Sequence, residues 1–319
     1  MPMMSSAKIF TGNSNKDLAT HIARILRTRL GRMDIERFSD GEIRCEINEH
    51  VREDNIHIIQ STCAPANDSL MELLIMTDAF RRSAAKKIIA VVPYYGYARQ
   101  DRRPQYSRTP VTSRLVADMM EVSGIDQMIV VDLHSEQQQG FFTIPTTNVS
   151  ATPIMVGDIY RKYKNDMDNL VVVSPDTGGV ARARMIAKHL EDADLAIIDK
   201  RRPKANVAQV MNIIGDVEDK VCVVVDDMID TAGTLCKAAA ALKEHGARKV
   251  VAYATHPVFS GDAYDNITNS ELDEVVVTDT IPLSTEKTSD KIRVISIASL
   301  IAETMKRINE GSSVSEIYV

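Results

Sequence analysis

No apolar run in the 319-residue chain is longer than five residues, so no membrane-spanning helix is predicted. The opening stretch, Met1 to Phe10, has no charged segment leading into an apolar one, and no secretory leader is expected. Cysteine is scarce. Cys45, Cys63, Cys222 and Cys236 never form a C-x-x-C pair, which suggests neither a zinc site nor a disulfide framework. Cys222 sits inside the apolar run 221–225 and reads as a small buried hydrophobe. The glycosylation sequons at Asn67, Asn148 and Asn266 carry little meaning without a leader. These absences point to a reduced, cytoplasmic protein. Basic excess is also lacking: 38 Lys and Arg stand against 44 Asp and Glu, a net charge of −6. Such a chain is a poor general partner for nucleic acid, whose phosphates reward a basic surface, although a local basic cluster can still hold a small anion. Common signatures are missing too. No glycine precedes Lys-Ser or Lys-Thr and no two glycines stand two apart, so neither a Walker A loop nor a G-x-G-x-x-G turn exists. H-E-x-x-H and G-x-S-x-G are absent, which removes the zinc peptidase and serine hydrolase readings.

What is present is an ordinary globular composition, 44% apolar and 26% charged, over a length that fits about two domains. Continuous apolar runs alternate with helical patterns. Strands are predicted over 8–11, 55–60, 87–92 and 128–131, with helices over 16–30 and 67–82. The order resumes with strand 170–173, helix 180–190, strands 195–198 and 221–225, helix 233–244 and strand 249–254. Apolar strands of this kind are buried on both faces, and the alternation implies parallel sheets with right-handed crossovers. The predicted fold is α/β, with two doubly wound domains. A faint repeat supports this, because 61–103 and 174–202 share the order loop, helix, strand, basic loop. Each is followed by an apolar strand ending in acid, at Asp132 and Asp226. The boundary is placed in the Thr/Asn/Ser/Pro stretch 146–153, which gives domains 1–150 and 151–319. A further loop is expected over 282–291, and a last helix near 300–308 could pack on either half.

The densest chemical signal is VCVVVDDMIDTAGT, residues 221–234. An apolar strand is expected to end at Asp226 and Asp227, followed by a short loop and a helix beginning near Thr234. Ligands of open α/β sheets bind at such strand ends. The N–H groups of Asp230, Thr231, Ala232, Gly233 and Thr234, with the two threonine hydroxyls, can wrap a phosphate at the helix N-terminus. Two carboxylates beside it suit sugar hydroxyls or a metal. Helix capping and turn formation explain one acid, not three followed by T-x-G-T. A second strand-to-helix turn, SPDTGG at 174–179, places Asp176 at a strand end, where Gly178 and Gly179 let backbone approach a ligand closely. Taken alone it reads equally well as a plain turn. Two basic loops follow apolar strands and carry Arg99, Arg102 and Arg103, and Lys200, Arg201, Arg202 and Lys204. Solvated surface is the usual reading of a charge run, but their place at strand ends favours polyphosphate. At the end of 128–131, His134 stands near Asp132, where it can meet a metal or a phosphate, although magnesium prefers oxygen.

Together these segments resemble one family. VVVDDMIDTAGT is similar to the phosphoribosyl-diphosphate-binding loop of type I phosphoribosyltransferases. RFSDGE (37–42), NDSLMELL (67–74), PYYGYARQDRR (93–103), VDLHSEQQQGFF (131–142), SPDTGGV (174–180) and IDKRRP (198–203) resemble the ribose-phosphate diphosphokinases, or phosphoribosyl diphosphate synthases, of the bacterial phosphate-activated hexameric type. The likeness runs along nearly the whole chain. It implies two domains of type I phosphoribosyltransferase-like fold, an N-terminal one on the ATP side and a C-terminal one with the ribose 5-phosphate and catalytic loops. It implies that O1 of ribose 5-phosphate attacks the β-phosphorus of ATP, taking the diphosphoryl group and releasing AMP, for nucleotide biosynthesis. It also implies Mg²⁺, contacted by His134 and Asp176. Lys200 and Arg202, on a flexible loop, would stabilise the transferring group, and Arg202 would also face ribose 5-phosphate. Asp226, Asp227, Asp230, Thr231, Ala232, Gly233 and Thr234 would hold ribose 5-phosphate. Arg99 and Gln100 would bind ATP, and Phe38, Asp40, Gly41 and Glu42 would take its adenine end, partly across a subunit boundary in a homohexamer. Inorganic phosphate as activator and ADP as inhibitor are implied by the tail 313–315, with Tyr318 in place of a common Phe. No nucleic acid or membrane partner is expected.

The residues agree with this chemistry on their own terms. Phosphoryl transfer asks a protein mainly for positioning and charge neutralisation, and no side chain need become a covalent nucleophile. Two alternatives share the fold: a phosphoribosyltransferase, which consumes the product, and a non-catalytic regulatory subunit. The intact Lys200-Arg201-Arg202-Pro203 run speaks against the second.

Overall fold

The computed structural model describes residues 7–201 and 210–318, and its architecture is α/β with parallel sheets, as the alternation predicts. Contacts divide the chain into two units. One is Met1–Ala151 with Thr280–Pro282 and Ser296–Val319, and the other is Thr152–Asp279 with Leu283–Ile295.

The first unit begins with β1 (Ala7–Thr11) and α1 (Lys16–Ile25), continues through a hairpin of β2 (Met33–Arg37) and β3 (Ile43–Ile47), and then runs β4 (Asn55–Ile59), α2 (Ala66–Arg82), β5 (Lys87–Val92), α3 (Thr112–Ser123), β6 (Gln127–Val131) and β7 (Thr146–Val149). Its five-stranded sheet has the order β1-β4-β5-β6-β7, all parallel. Ile56 and Ile58, Ile88 to Val92 and Met128 to Val131 are buried, which is why these strands read as continuous apolar runs. Helix α1 starts where the Asn15 carboxamide oxygen accepts the Leu18 N–H, and it buries Leu18, Ala19, Ile22 and Ala23. It ends at Ile25 rather than at residue 30. Arg27 takes a left-handed φ of 52°, and the chain turns so that Leu30 bridges Ile9 in parallel while the Gly31 N–H donates to the Ile9 carbonyl at 2.7 Å. That bridge lies on the flank of β1 away from β4, so strand order reverses between β1 and β4. Within the stretch 146–153, Thr146–Val149 pairs with Met128–Val131 as the edge strand β7.

The second unit comprises α4 (Thr152–Tyr163), β8 (Leu170–Ser174), α5 (Val180–His189), β9 (Asp194–Arg201), β10 (Val210–Ile214), β11 (Val221–Ile229), α6 (Gly233–Glu244), β12 (Lys249–Pro257), α7 (Ala263–Thr268), β13 (Glu274–Thr278) and β14 (Ile292–Ile295). Its seven strands run β10-β9-β8-β11-β12-β13-β14, parallel except for β10, which is antiparallel to β9. Order reverses between β8 and β11, since β9 follows β8 outward on one side and β12 follows β11 on the other. Val171, Val173, Cys222, Val224, Val250 and Ala252 pack beneath α6 in one core. The Cys222 thiol is buried and its pKa is pushed up to about 12 by desolvation, as expected of an inert core cysteine.

The last helix, α8 (Ala298–Glu310), returns to the first unit and packs against α1. Among the described residues no helix is long and apolar enough to cross a membrane.

Candidate active site

In an open α/β sheet, ligands bind beyond the carboxyl ends of the strands where strand order reverses. In the second unit that place holds a cavity of about 260 Å³. Pro175 and Asp176, from the turn after β8, line one side of it. Asp226, Asp230, Thr231, Ala232 and Thr234, from the end of β11 and the loop into α6, line the other. Two motifs about fifty residues apart in sequence therefore meet in one cavity. One expectation is corrected. Asp226 and Asp227 do not follow the strand but lie within it, because β12 extends as far as Pro257 and pairs β11 out to Ile229.

The loop Asp230–Thr234 turns sharply at Ala232, whose φ of 60° lies in the left-handed region, and α6 begins at Gly233. A non-glycine residue is strained there, and surrounding contacts must hold it. In the β8 turn, one Asp176 carboxylate oxygen accepts from the N–H groups of Gly178 at 2.9 Å and Gly179 at 3.0 Å. The close approach that these glycines allow is to their own turn: a Cβ on Gly179 would stand 2.9 Å from the Ser174 hydroxyl.

Asp227 is buried, and its N–H donates to Asp226 Oδ1 at 2.9 Å. The Asp226 carboxyl is pushed up to about 7, first by burial, then by the hydrogen bond and charge of Asp227, while Arg182 pulls it back. Arg182 lies 3.4 Å from Asp227 and 3.8 Å from Asp226. The sequence reading did not single it out. Its signal was legible: it is the third residue of α5, and a cation in a first turn opposes the helix dipole unless something nearby needs its charge.

Lys200 is the residue before the last of β9 and its backbone pairs with Met211 across to β10, whereas Arg202 lies outside the described residues. In the first unit, Arg99 and Gln100 are exposed on the turn after β5. The Gln100 N–H donates to the Tyr97 carbonyl at 3.0 Å, and Thr112 Oγ1 donates to Gln100 Oε1 at 2.6 Å, which anchors this turn on the start of α3. Phe38, Asp40, Gly41 and Glu42 form the exposed tip of the β2–β3 hairpin. The Gly41 φ of 95° and the bond from the Glu42 N–H to Asp40 Oδ1 shape the tip, and Phe38 presents a ring that is 52% exposed. His134 is exposed just beyond β6.

A family described as the N-terminal domain of ribose phosphate pyrophosphokinase matches residues 7–124, and one described as a phosphoribosyl synthetase-associated domain matches residues 181–319. The chain is 58% identical over 312 residues to a ribose-phosphate pyrophosphokinase of Xanthomonas axonopodis pv. citri, covering 98% of this chain and 97% of that protein. It is 56% identical over 316 residues to the one of Haemophilus influenzae, covering 99% and 100%. The chain belongs to the ribose-phosphate pyrophosphokinase family. A crystal structure of phosphoribosylpyrophosphate synthetase from Mycobacterium smegmatis superposes with a TM-score of 0.91 at 38% identity, covering 97% of this chain and all of that one.

A ribose-phosphate pyrophosphokinase handles anions throughout, and the residues of the second unit suit that task. Loop N–H groups at a helix start, two hydroxyls and an acid pair offer donors to a phosphate and acceptors to sugar hydroxyls. Among the described residues no three His, Cys, Asp or Glu side chains form a metal cage. Magnesium keeps its waters and takes one or two carboxylates together with substrate phosphates. The Asp176 carboxylate, steered by the two glycine N–H groups, is a donor of the right kind.

Proposed function

We propose that the chain transfers the β,γ-diphosphoryl group of ATP to O1 of ribose 5-phosphate, giving 5-phospho-α-D-ribose 1-diphosphate and AMP. The sugar oxygen attacks the β-phosphorus, the bond from that phosphorus to the α,β-bridging oxygen breaks, and the bridging oxygen leaves with AMP. The observation that carries this reading is the cavity at the second unit's strand reversal, lined by Asp176, Asp226 and the Asp230–Thr234 loop, in a chain that matches pyrophosphokinases end to end.

In this reading Asp230, Thr231, Ala232, Gly233 and Thr234 hold the 5-phosphate, and Asp226 and Asp227 accept from the ribose hydroxyls. Arg99 and Gln100 hold the ATP phosphates, and Phe38, Asp40, Gly41 and Glu42 receive adenine. Lys200 and Arg202 meet the transferring group. Asp176 and His134 would hold Mg²⁺, which when bound neutralises diphosphoryl charge. The chain works as a cytoplasmic homohexamer, activated by phosphate and inhibited by ADP. The exposed Phe38 tip supports assembly, because an adenine site built on a bare hairpin gains its other wall from a neighbouring subunit.

Formation of AMP from ATP and ribose 5-phosphate, with Mg²⁺ and phosphate and without any nucleobase, tests the activity. A phosphoribosyltransferase would give no AMP under those conditions, and a regulatory subunit would bind ATP without turnover. Full specific activity in a sample shown by light scattering to be monomeric would contradict the shared adenine site.

A further inference from the structure

The phosphate cradle does not hold itself. The segment after β12, running into α7, grips it at three consecutive residues. The Phe259 N–H donates to the Ile229 carbonyl at 3.0 Å. Ser260 Oγ donates to the Asp230 carboxylate. Asn266 Nδ2 donates to the Thr231 carbonyl at 2.9 Å. None of these three gripping residues belongs to a motif that pointed to function, and Asn266 stood out only as a sequon.

The third grip has the largest chemical consequence. A peptide group is planar and trans, so its C=O and N–H point in opposite directions. The carbonyl of Thr231 and the N–H of Ala232 belong to one peptide. Holding that carbonyl on Asn266 turns the Ala232 N–H away from α7, and Ala232 lines the cavity. The same peptide leads into the left-handed Ala232, a conformation that tends to relax when nothing holds it. Among the described residues, the N–H groups of Ala232, Gly233 and Thr234 meet no protein acceptor. The donors offered to an anion are therefore aimed by a side chain that does not line the cavity.

We propose that Asn266 and Ser260 are positioning residues for ribose 5-phosphate: Asn266 orients the Thr231–Ala232 peptide, and Ser260 fixes the Asp230 carboxylate, so that the loop meets the 5-phosphate preformed. This rests on the cradle assignment made above. Preorganisation of this kind acts on the ligand that the loop holds and leaves a ligand bound elsewhere untouched.

The test uses the full-length enzyme, with ribose 5-phosphate binding by calorimetry beside the KM values for both substrates. Asn266→Ala should weaken ribose 5-phosphate by ~3–10-fold, the range for one lost hydrogen bond, with the KM for ATP within about twofold of wild type. Asn266→Asp keeps the volume but sets a carboxylate against the Thr231 carbonyl, and it should lose at least as much. Ser260→Ala should lose a smaller factor that Ser260→Thr restores. If an Asn266 variant fails to fold, the Ser260 pair carries the test. Thr234→Val in the same assay separates the two levels of argument. Weakened binding in Thr234→Val with normal binding in Asn266→Ala and Ser260→Ala overturns the positioning role alone. Unchanged binding in Thr234→Val overturns the cradle assignment and the positioning role with it. Equal losses for both substrates, or a lowered Tm with unchanged affinities, also overturn the positioning role.

Discussion

At the first unit's reversal of strand order, between β1 and β4, side chains fill the kind of space that the second unit leaves open between β8 and β11. Glu72 of α2 accepts from the backbone N–H of Asn13, from Asn13 Nδ2 at 2.8 Å and from Gln60 Nε2 at 2.8 Å. Gln60 Oε1 in turn accepts from Ser14 Oγ at 2.7 Å. The filling is tight enough that a Cβ on Gly12 would fall 2.2 Å from Gln60 Oε1. In the second unit the equivalent crevice is a cavity with acids on its wall and loop N–H groups at its end. Both sheets present loop N–H groups where their order reverses. In one, side chains of the protein take them: the Asn13 N–H donates to the Glu72 carboxylate and the Ser14 N–H to Gln60 Oε1. In the other, the loop that carries them lines the open cavity. Glu72 and Gln60 together close this crevice, and the first unit displays its candidate ATP residues on exposed turns.

The contrast breaks most visibly at Lys200, on β9 of the second unit. Lys200→Ala should lower kcat by ~10²–10³-fold, the cost of losing a preorganised charge that meets the transition state. Steady-state kinetics showing a loss confined to KM would place Lys200 outside the chemistry. The sealed crevice should answer in stability instead. Glu72→Ala leaves three donors facing a void, and the unfolding free energy from urea titration should fall by about 2–3 kcal/mol, while kcat per folded molecule stays near normal. If stability were unchanged, Glu72 would not be what closes the first unit. Thr234→Val removes a hydroxyl from the open crevice. A charge-assisted bond is worth ~1.5–3 kcal/mol, so ribose 5-phosphate should bind about 10–100-fold more weakly, with ATP little affected. On the exposed side, Phe38→Ala should weaken ATP by ~5–10-fold, the low end for loss of base stacking, and leave Tm alone because the ring covers no core. A fall in Tm would show the hairpin tip to be structural.

The smallest effect concerns Asp226. Its folded pKa, about 7, stands above the ordinary carboxylate value of 3.8, so protonation favours the fold. That contribution is complete in acid, below the unfolded value, and is lost as pH rises through about 7. Asp226→Asn should therefore gain stability relative to wild type as pH is raised from about 3.8 to about 7, and no further above that. The gain should stay below ~1 kcal/mol, since the side chain is 39% exposed and solvent screens its charges. A urea-midpoint difference that did not vary with pH would mean that Asp226 ionises normally.

How far the sequence could be read depended on whether a signal was local. The runs at 87–92, 170–173 and 221–225 declared themselves because strands buried on both faces are apolar at every position. The hairpin of β2 and β3 did not, although its pattern was written in Met33-Asp34-Ile35-Glu36 and Ile43-Arg44-Cys45-Glu46-Ile47. Apolar residues alternate with charged ones there because one face alone is covered, and a search for continuous runs passes over a period of two. The cradle loop was legible from its own fourteen residues. The grip of Asn266 on it and the closure by Glu72 were not, because each joins residues that are far apart in the chain and each partner alone is an ordinary polar side chain. The end of α1 was misplaced for a similar reason: Leu30 leaves the helical pattern to bridge Ile9, a contact across some twenty residues.

The return of α8 to the first unit has a consequence for the order in which the molecule can be made. The second unit is nearly continuous in the chain, and all its strands have been synthesised once Ile295 is added. The first unit is not complete at that point. Asn15 and Ser61 donate to the carbonyl of Thr280, at 3.3 and 2.6 Å, and α1 packs against Ala298–Glu310, so residues at the start of the chain wait for residues near its end. Loops that long form slowly. The half that emerges first from the ribosome is finished last, and α1 stays without its helical partner for nearly the whole of synthesis. A chain cut short before Ala298, or a ribosome stalled there, would carry a folded second unit joined to an N-terminal unit with one apolar face still bare, the kind of species that chaperones and proteases recognise.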